Sequence, residues 1–193
     1  MIRGCANIVL VGMPGSGKSS VGRRLAKRLH WTFVDTDALI VAAAGKSIER
    51  IFAEDGEAYF RDLEARCVRE AAAHTGVVIA TGGGVVLREE NVRALRATGL
   101  IVFLDRAPER ILKTAELSDR PLLRAGGQAL FALYRQRKDV YRAACDCRVP
   151  NNGRRLKPVI LTLLKLRRKM ECLSSVQQKN ACGNGYKTRG RKR

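Results

Sequence analysis

Eight residues near the start of the chain, Gly12-Met13-Pro14-Gly15-Ser16-Gly17-Lys18-Ser19, have the types and spacing of a loop that wraps a phosphate. Gly12, Gly15 and Gly17 free the backbone to turn its N–H groups inward, so that these and the N–H of Ser16 can cradle an anion. Lys18 can reach the terminal phosphates of a nucleotide, and Ser19 can offer its hydroxyl to Mg²⁺, with Ser20 beside it. The loop follows an apolar run, Ile8 to Val11, and opens a helical pattern through Val21, Leu25 and Leu29. Strand before and helix after is the context the motif requires, and the helix N-terminus adds partial positive charge at the same place. The chemistry implied is phosphoryl transfer from ATP, with Lys18 carrying much of the charge stabilisation.

An acceptor needs its own machinery. Asp35-Thr36-Asp37 follows the second apolar run and places two carboxylates two residues apart. One can sit in the shell of Mg²⁺, through water, while the other takes or orients a hydroxyl proton. Either can instead cap the helix that follows. Gly82-Gly83-Gly84 has no side chain to pack, which points to a close approach to the backbone, a small ligand being the obvious candidate. Arg61, Arg120 and Arg137 stand where a carboxylate could be clamped, although each alone reads equally well as surface charge.

These residues must be held by elements. Ile8–Val11, Thr32–Val34, Val77–Ala80, Leu100–Leu104 and Cys147–Val149 read as strands, and the stretches between them have helical periodicity. Strands that are continuously apolar and alternate with helices predict a parallel sheet covered on both faces, with ligands at its carboxyl edge. The gap from Asp35 to Gly76 is too long for one crossover and predicts two or three helices, one over Glu57 to His74, forming a substrate-binding insertion. Ala115 to Gly127, with Pro121 and Gly126-Gly127, suits a lid, and Leu156 to Cys172 a last helix.

The phosphate loop, Asp35-x-Asp37, Phe60-Arg61-x-x-Glu64, Ala80-Thr81-Gly82-Gly83-Gly84, Arg120-Pro121-Leu122-Leu123 and Arg137-x-x-x-Tyr141 together resemble shikimate kinase over roughly residues 7–153. The run from Arg61-x-x-Glu64 through Val68 to Gly82-Gly83-Gly84-x-Val86 is the most specific part, being similar to that family rather than to P-loop kinases at large. The resemblance implies a three-layer αβα P-loop kinase fold with a central five-stranded parallel sheet, substrate-binding helices inserted over about 35–76 and a lid over about 115–127. It implies transfer from ATP to the 3-hydroxyl of shikimate on the route to aromatic amino acids. Asp37 would bind the ring hydroxyls and act as, or orient, the base, and Asp35 would share the Mg²⁺ shell with Ser19. Arg61 and Arg137 would grip the substrate carboxylate, Gly82, Gly83 and Gly84 would meet the ring, and Arg120 would close on substrate and phosphoryl group from the lid. Two departures stand out: Lys113 occupies a place near the adenine where the family often has arginine, and the lid segment carries Glu116 and Asp119. Arg154 or Arg155 can compensate by stacking on the base.

The 193 residues suffice for one domain, expected over 1–173, with a tail over 174–193. Residues 154–193 hold thirteen Lys and Arg against one acid, Glu171, so +12 of the net +19 lies there. That tail reads as disordered and solvated in preference to a nucleic-acid contact. The six cysteines are scattered without a Cys-x-x-Cys pair, which suits reduced thiols rather than a disulfide framework or a metal site. The short apolar run Ile8–Val11 leads into glycines, so neither a secretory leader nor a membrane span is read, and a cytoplasmic monomer is expected. Two competitors remain: a P-loop kinase for another small hydroxy acid such as gluconate, and a kinase-like chain kept for binding. The arginine pair and triple glycine weigh against the first, and the intact Lys18, Ser19, Asp35, Asp37 and Arg120 against the second.

Overall fold

The computed structural model describes residues 6–115, 127–153 and 155–169. Five strands, β1 (Asn7–Val11), β2 (Thr32–Asp35), β3 (Val77–Ala80), β4 (Gly99–Asp105) and β5 (Cys147–Pro150), form one parallel sheet in the order β2-β3-β1-β4-β5. The three inner strands are buried along their whole length, as their unbroken apolar sequences predict, and the two edge strands are partly exposed.

Side chains alternate across the sheet and so divide the core in two. Val9, Val11, Ile79, Ile101 and Phe103 point to one face, where they meet α4 (Gly56–Ala73), α5 (Glu89–Thr98) and α7 (Gly127–Ala144). Ile8, Leu10, Val78, Val102 and Leu104 point to the other, against Val21, Leu25 and Ala26 of α1 (Lys18–Leu29) and Val159, Ile160 and Leu163 of a last helix over 157–169. Burying both faces is the layered solution open to a parallel sheet, and the expected three-layer αβα architecture follows.

The insertion between β2 and β3 holds three helices, α2 (Thr36–Ala44), α3 (Ile48–Glu54) and α4. They have their own small core of Ile40, Ile51, Phe60, Leu63 and Cys67. α4 runs past this lobe onto the sheet through Val68, Ala71 and Ala72, so one rigid helix joins the insertion to the main core. A 3₁₀ turn (Val85–Leu87) precedes α5, and α6 (Pro108–Ala115) follows β4. The expected lid with Arg120, and the tail over 174–193, lie outside the described residues apart from the lid's flanks. Among the described residues no helix is long and apolar enough to cross a membrane.

Candidate active site

β1 delivers the chain to the phosphate loop with little slack. Gly12, Gly15 and Gly17 have φ of 143°, 77° and 92°, in the region that side chains avoid. At Gly12 a Cβ would also lie 2.7 Å from the carbonyl oxygen of Leu104, so the position admits no side chain on either count. Ser16 N–H donates to the Met13 carbonyl at 3.1 Å and closes the turn. Lys18, only 8% exposed, folds back across the loop and donates from Nζ to the carbonyls of Gly12 (2.8 Å) and Met13 (2.9 Å). α1 then begins on Gly17 with no side-chain cap and no acidic residue in its first turn, which leaves its first N–H groups and partial positive charge for an anion.

Of the roles that the sequence left open, the helix cap is made by Asp35. Asp35 caps α2 by accepting from the Asp37 N–H at 3.2 Å, and its other oxygen accepts from Ser19 Oγ at 2.8 Å. The cap therefore also fixes a carboxylate against the phosphate loop. Asp37, in the first turn of α2, faces the triple glycine: a Cβ on Gly82 would lie 2.6 Å from Asp37 Oδ1. Gly82 N–H donates to Thr36 Oγ1 at 3.1 Å. A Cβ on Gly83 would lie 2.9 Å from Pro14 Cδ, and one on Gly84 2.5 Å from Arg61 Nη1. Each of the three glycines thus admits a different neighbour, from the acid pair, the phosphate loop and the arginine.

Both candidate clamp arginines that lie among the described residues flank this turn. Arg61, 14% exposed at its side chain, donates to Glu64 (2.9 Å) and to exposed Glu57 (3.1 Å). Arg137 Nη1 donates to the Gly83 carbonyl at 3.3 Å, and Tyr141 OH to the same oxygen at 2.6 Å. Tyr141 is fully buried and stacks on Phe103 with ring centroids 5.1 Å apart, and burial pushes its phenol up. Asp105, buried at the end of β4, accepts from Tyr134 OH (3.0 Å) and Arg148 Nε (2.7 Å). α7 is therefore held at Tyr134 and Tyr141, one helical face that also carries Arg137.

Glu64 is 1% exposed and has its carboxyl pushed up by burial, with the Arg61 guanidinium pulling it back and the Asp37 and Arg88 charges acting with opposite signs. The native state therefore holds a proton here that the unfolded chain releases at lower pH, and stability falls as pH rises from the ordinary glutamate range through the raised value. Glu64→Gln removes that loss. Urea unfolding at pH 4 and pH 7 should show the variant gaining on the parent between the two, and an equal difference at both pH values would refute the assignment.

Beside the start of α1 a cavity of about 520 Å³ is lined by Gly17, Ser20, Arg24, Arg106 and Thr114, and by Gly153, Arg155, Leu156 and Lys157. Lys113 is exposed on α6 and does not line it, whereas Arg155 does; Arg154 lies outside the described residues. Asn151, fully buried after β5, donates from Nδ2 to the Ser16 carbonyl at 2.8 Å and from its N–H to the Asp105 carbonyl at 2.7 Å. The sequence reading assigned nothing to Asn151, Thr36 or Asp105. The signal for all three was position: each sits at the carboxyl end of a strand, the edge where an open parallel sheet binds ligands.

Known proteins show which family the chain is similar to. The family profile described as shikimate kinase matches residues 14–167. The shikimate kinase of Symbiobacterium thermophilum is 46% identical over 164 residues, 82% of this chain and 94% of that one. That of Clostridium botulinum (strain Eklund 17B) is 41% identical over 159 residues, 82% of this chain and 95% of its own length. The shikimate kinase of Acinetobacter baumannii, solved in complex with shikimate, superposes with a TM-score of 0.78 at 33% identity, covering 84% of this chain and 92% of that chain. The chain belongs to the shikimate kinase family.

Proposed function

We propose that this chain transfers the γ-phosphoryl group of ATP to the 3-hydroxyl of shikimate, giving shikimate 3-phosphate and ADP, with Asp37 as the group that receives the hydroxyl proton. The observation that carries the reading is a chain of contacts at the carboxyl edge of the sheet: Ser19 to Asp35, Asp37 to Gly82, Gly83 to Pro14, and Gly84 to Arg61. Donor machinery and acceptor machinery share one wall.

The balance of the reaction assigns the parts. The shikimate oxygen bonds to the γ-phosphorus as its proton passes to Asp37, the bond from that phosphorus to the bridging oxygen breaks, and the electron pair leaves with ADP. Little covalent work falls to the protein, so positioning and charge stabilisation dominate. Gly12, Gly15, Ser16, Gly17 and Ser20 hold the phosphates with Lys18, while Arg61 and Arg137 take the substrate carboxylate beside Gly82, Gly83 and Gly84. Arg120, outside the described residues, is assigned to the transferring group from the resemblance alone.

Mg²⁺ belongs to the same reading, and the residues fit it. Ser19 Oγ and Asp35 Oδ2 are hard oxygen donors 2.8 Å apart at the mouth of the loop. Mg²⁺ is commonly bound by one or two protein oxygens, with waters and substrate phosphates completing its octahedron, so a larger protein cage is not needed. Ser19 would hold it directly and Asp35 through water. Bound there, it would supply positive charge to offset that of the phosphates.

The test is a coupled ADP-release assay with Mg-ATP and shikimate, run beside gluconate, quinate and a blank without acceptor. Release that depends on shikimate supports the reading; release with another acceptor, or with none, overturns the substrate. Arg61→Ala and Arg137→Ala should each raise the KM for shikimate roughly ten- to a hundredfold, the loss of one charge-assisted hydrogen bond, with the KM for ATP little changed. A change confined to the ATP constant would refute the carboxylate clamp. A cytoplasmic location belongs to the same reading; among the described residues Cys67, Cys145 and Cys147 are free thiols.

A further inference from the structure

Arg106 follows Asp105 at the end of β4 and lines the cavity outside the phosphate loop. Its Nε is buried without a hydrogen-bond partner. No carboxylate pairs with it among the described residues, and the described residues lining the cavity contribute Arg24, Arg155 and Lys157 but no acid. Its Nη1 lies 3.7 Å from where a Cβ on Gly17 would stand, next to the uncapped start of α1. Burial pushes its pKa down, and nearby Arg110 acts in the same direction. A partly buried cation among other cations, with no counter-charge among the described residues, is unfavourable in the empty protein. Such an arrangement makes sense where a ligand brings the negative charge.

The phosphate loop narrows the choice of ligand. Lys18 lies across the inner side of the loop, against the carbonyls of Gly12 and Met13, and serves the terminal phosphates there. Arg106 stands on the outer side, where Gly17 and Ser20 face the cavity. The phosphate that a nucleotide would place between loop and cavity is the one attached to its ribose. We propose that Arg106 is a nucleotide-binding residue whose guanidinium pairs with the α-phosphate of ATP beside Gly17. The proposal rests on the reading that the loop holds ATP.

Arg106→Met removes charge and fork, and Arg106→Lys keeps the charge alone. The KM values for ATP and shikimate would be measured for both, with AMP and adenosine titrated as competitors of a fluorescent ADP analogue. In Arg106→Met the KM for ATP should rise roughly ten- to a hundredfold while that for shikimate stays within about twofold, and Arg106→Lys should fall between. AMP should lose affinity and adenosine should not. The unliganded Arg106→Met protein should melt no lower than the parent, because an unpaired buried cation has gone. An unchanged KM for ATP would overturn the proposal, as would a loss of adenosine affinity equal to that of AMP, or a lower melting temperature with both Michaelis constants raised together. The competitor titrations need no acceptor, so a failed substrate assignment and a failed Arg106 assignment give different results.

Discussion

Asp37→Asn should lower kcat by roughly a hundred- to ten-thousandfold, the range a positioned general base contributes, while leaving the affinity for ADP within about twofold. The split follows from where Asp37 stands. Asparagine has the same shape, so the close approach at Gly82, where a Cβ would be 2.6 Å from Oδ1, survives the change. The cap on α2 is made by Asp35 and uses only the backbone N–H of residue 37, so the helix start survives too. The hydrogen bond that ties the phosphate loop to Asp35 through Ser19 is untouched by the substitution, and the loop should bind nucleotide as before. What is lost is the proton acceptor and a charge on the ring hydroxyls, so the KM for shikimate should rise as well. Steady-state kinetics beside an ADP titration checks this. Turnover within about tenfold of the parent would deny Asp37 the role of base, since orientation alone would then account for its presence.

The phosphate loop was the most legible part of the molecule because its demand is local. Glycine is needed where φ is positive, and Gly12, Gly15 and Gly17 take that conformation. The five strands were legible for a different reason: burial on both faces leaves an unbroken apolar run, and the inner strands carry one. Their ends were not legible. β1, β2, β4 and β5 extend onto Asn7, Asp35, Gly99, Asp105 and Pro150, because pairing continues past the apolar residues.

Function that depends on tertiary burial escaped the pattern. Glu64 was quoted only as part of a motif, since a glutamate in a helix is ordinary until the fold leaves it 1% exposed against Arg61. Asp35 was read as either cap or ligand; in the structure one oxygen makes the cap and the other accepts from Ser19 Oγ, a contact that no pattern of residue types records. Arg106 was one basic residue among many in a chain of net charge +19. What distinguishes it is a buried Nε without a hydrogen-bond partner among the described residues, and a sequence does not record missing partners.

Lys18→Met should lower kcat by roughly a thousandfold or more, the scale on which a preorganised positive group acts on a transferring phosphoryl. Methionine keeps most of the stem's length and volume, so the packing around the loop is retained and the charge is the main thing removed. The charge is already in place before substrate arrives. Nζ is held at 2.8 and 2.9 Å from two loop carbonyls in a site 8% exposed, so little reorganisation accompanies its turn towards the β- and γ-phosphates. Low exposure also limits screening by water, which strengthens a positive charge exactly where negative charge builds up on the bridging oxygen. The carbonyls of Gly12 and Met13 lose a donor in the variant, at a cost of about 1–3 kcal/mol if water does not replace it. A modest fall in melting temperature is therefore expected, far smaller than the effect on turnover. Lys18→Arg separates the two effects. It restores a donor and a charge, but its planar fork is wider than the ammonium it replaces in a site 8% exposed. If Lys18→Arg recovers stability without recovering turnover, position as well as charge is required of Lys18. If Lys18→Met keeps turnover within about tenfold, the loop holds phosphate by its backbone alone and Lys18 is a strut.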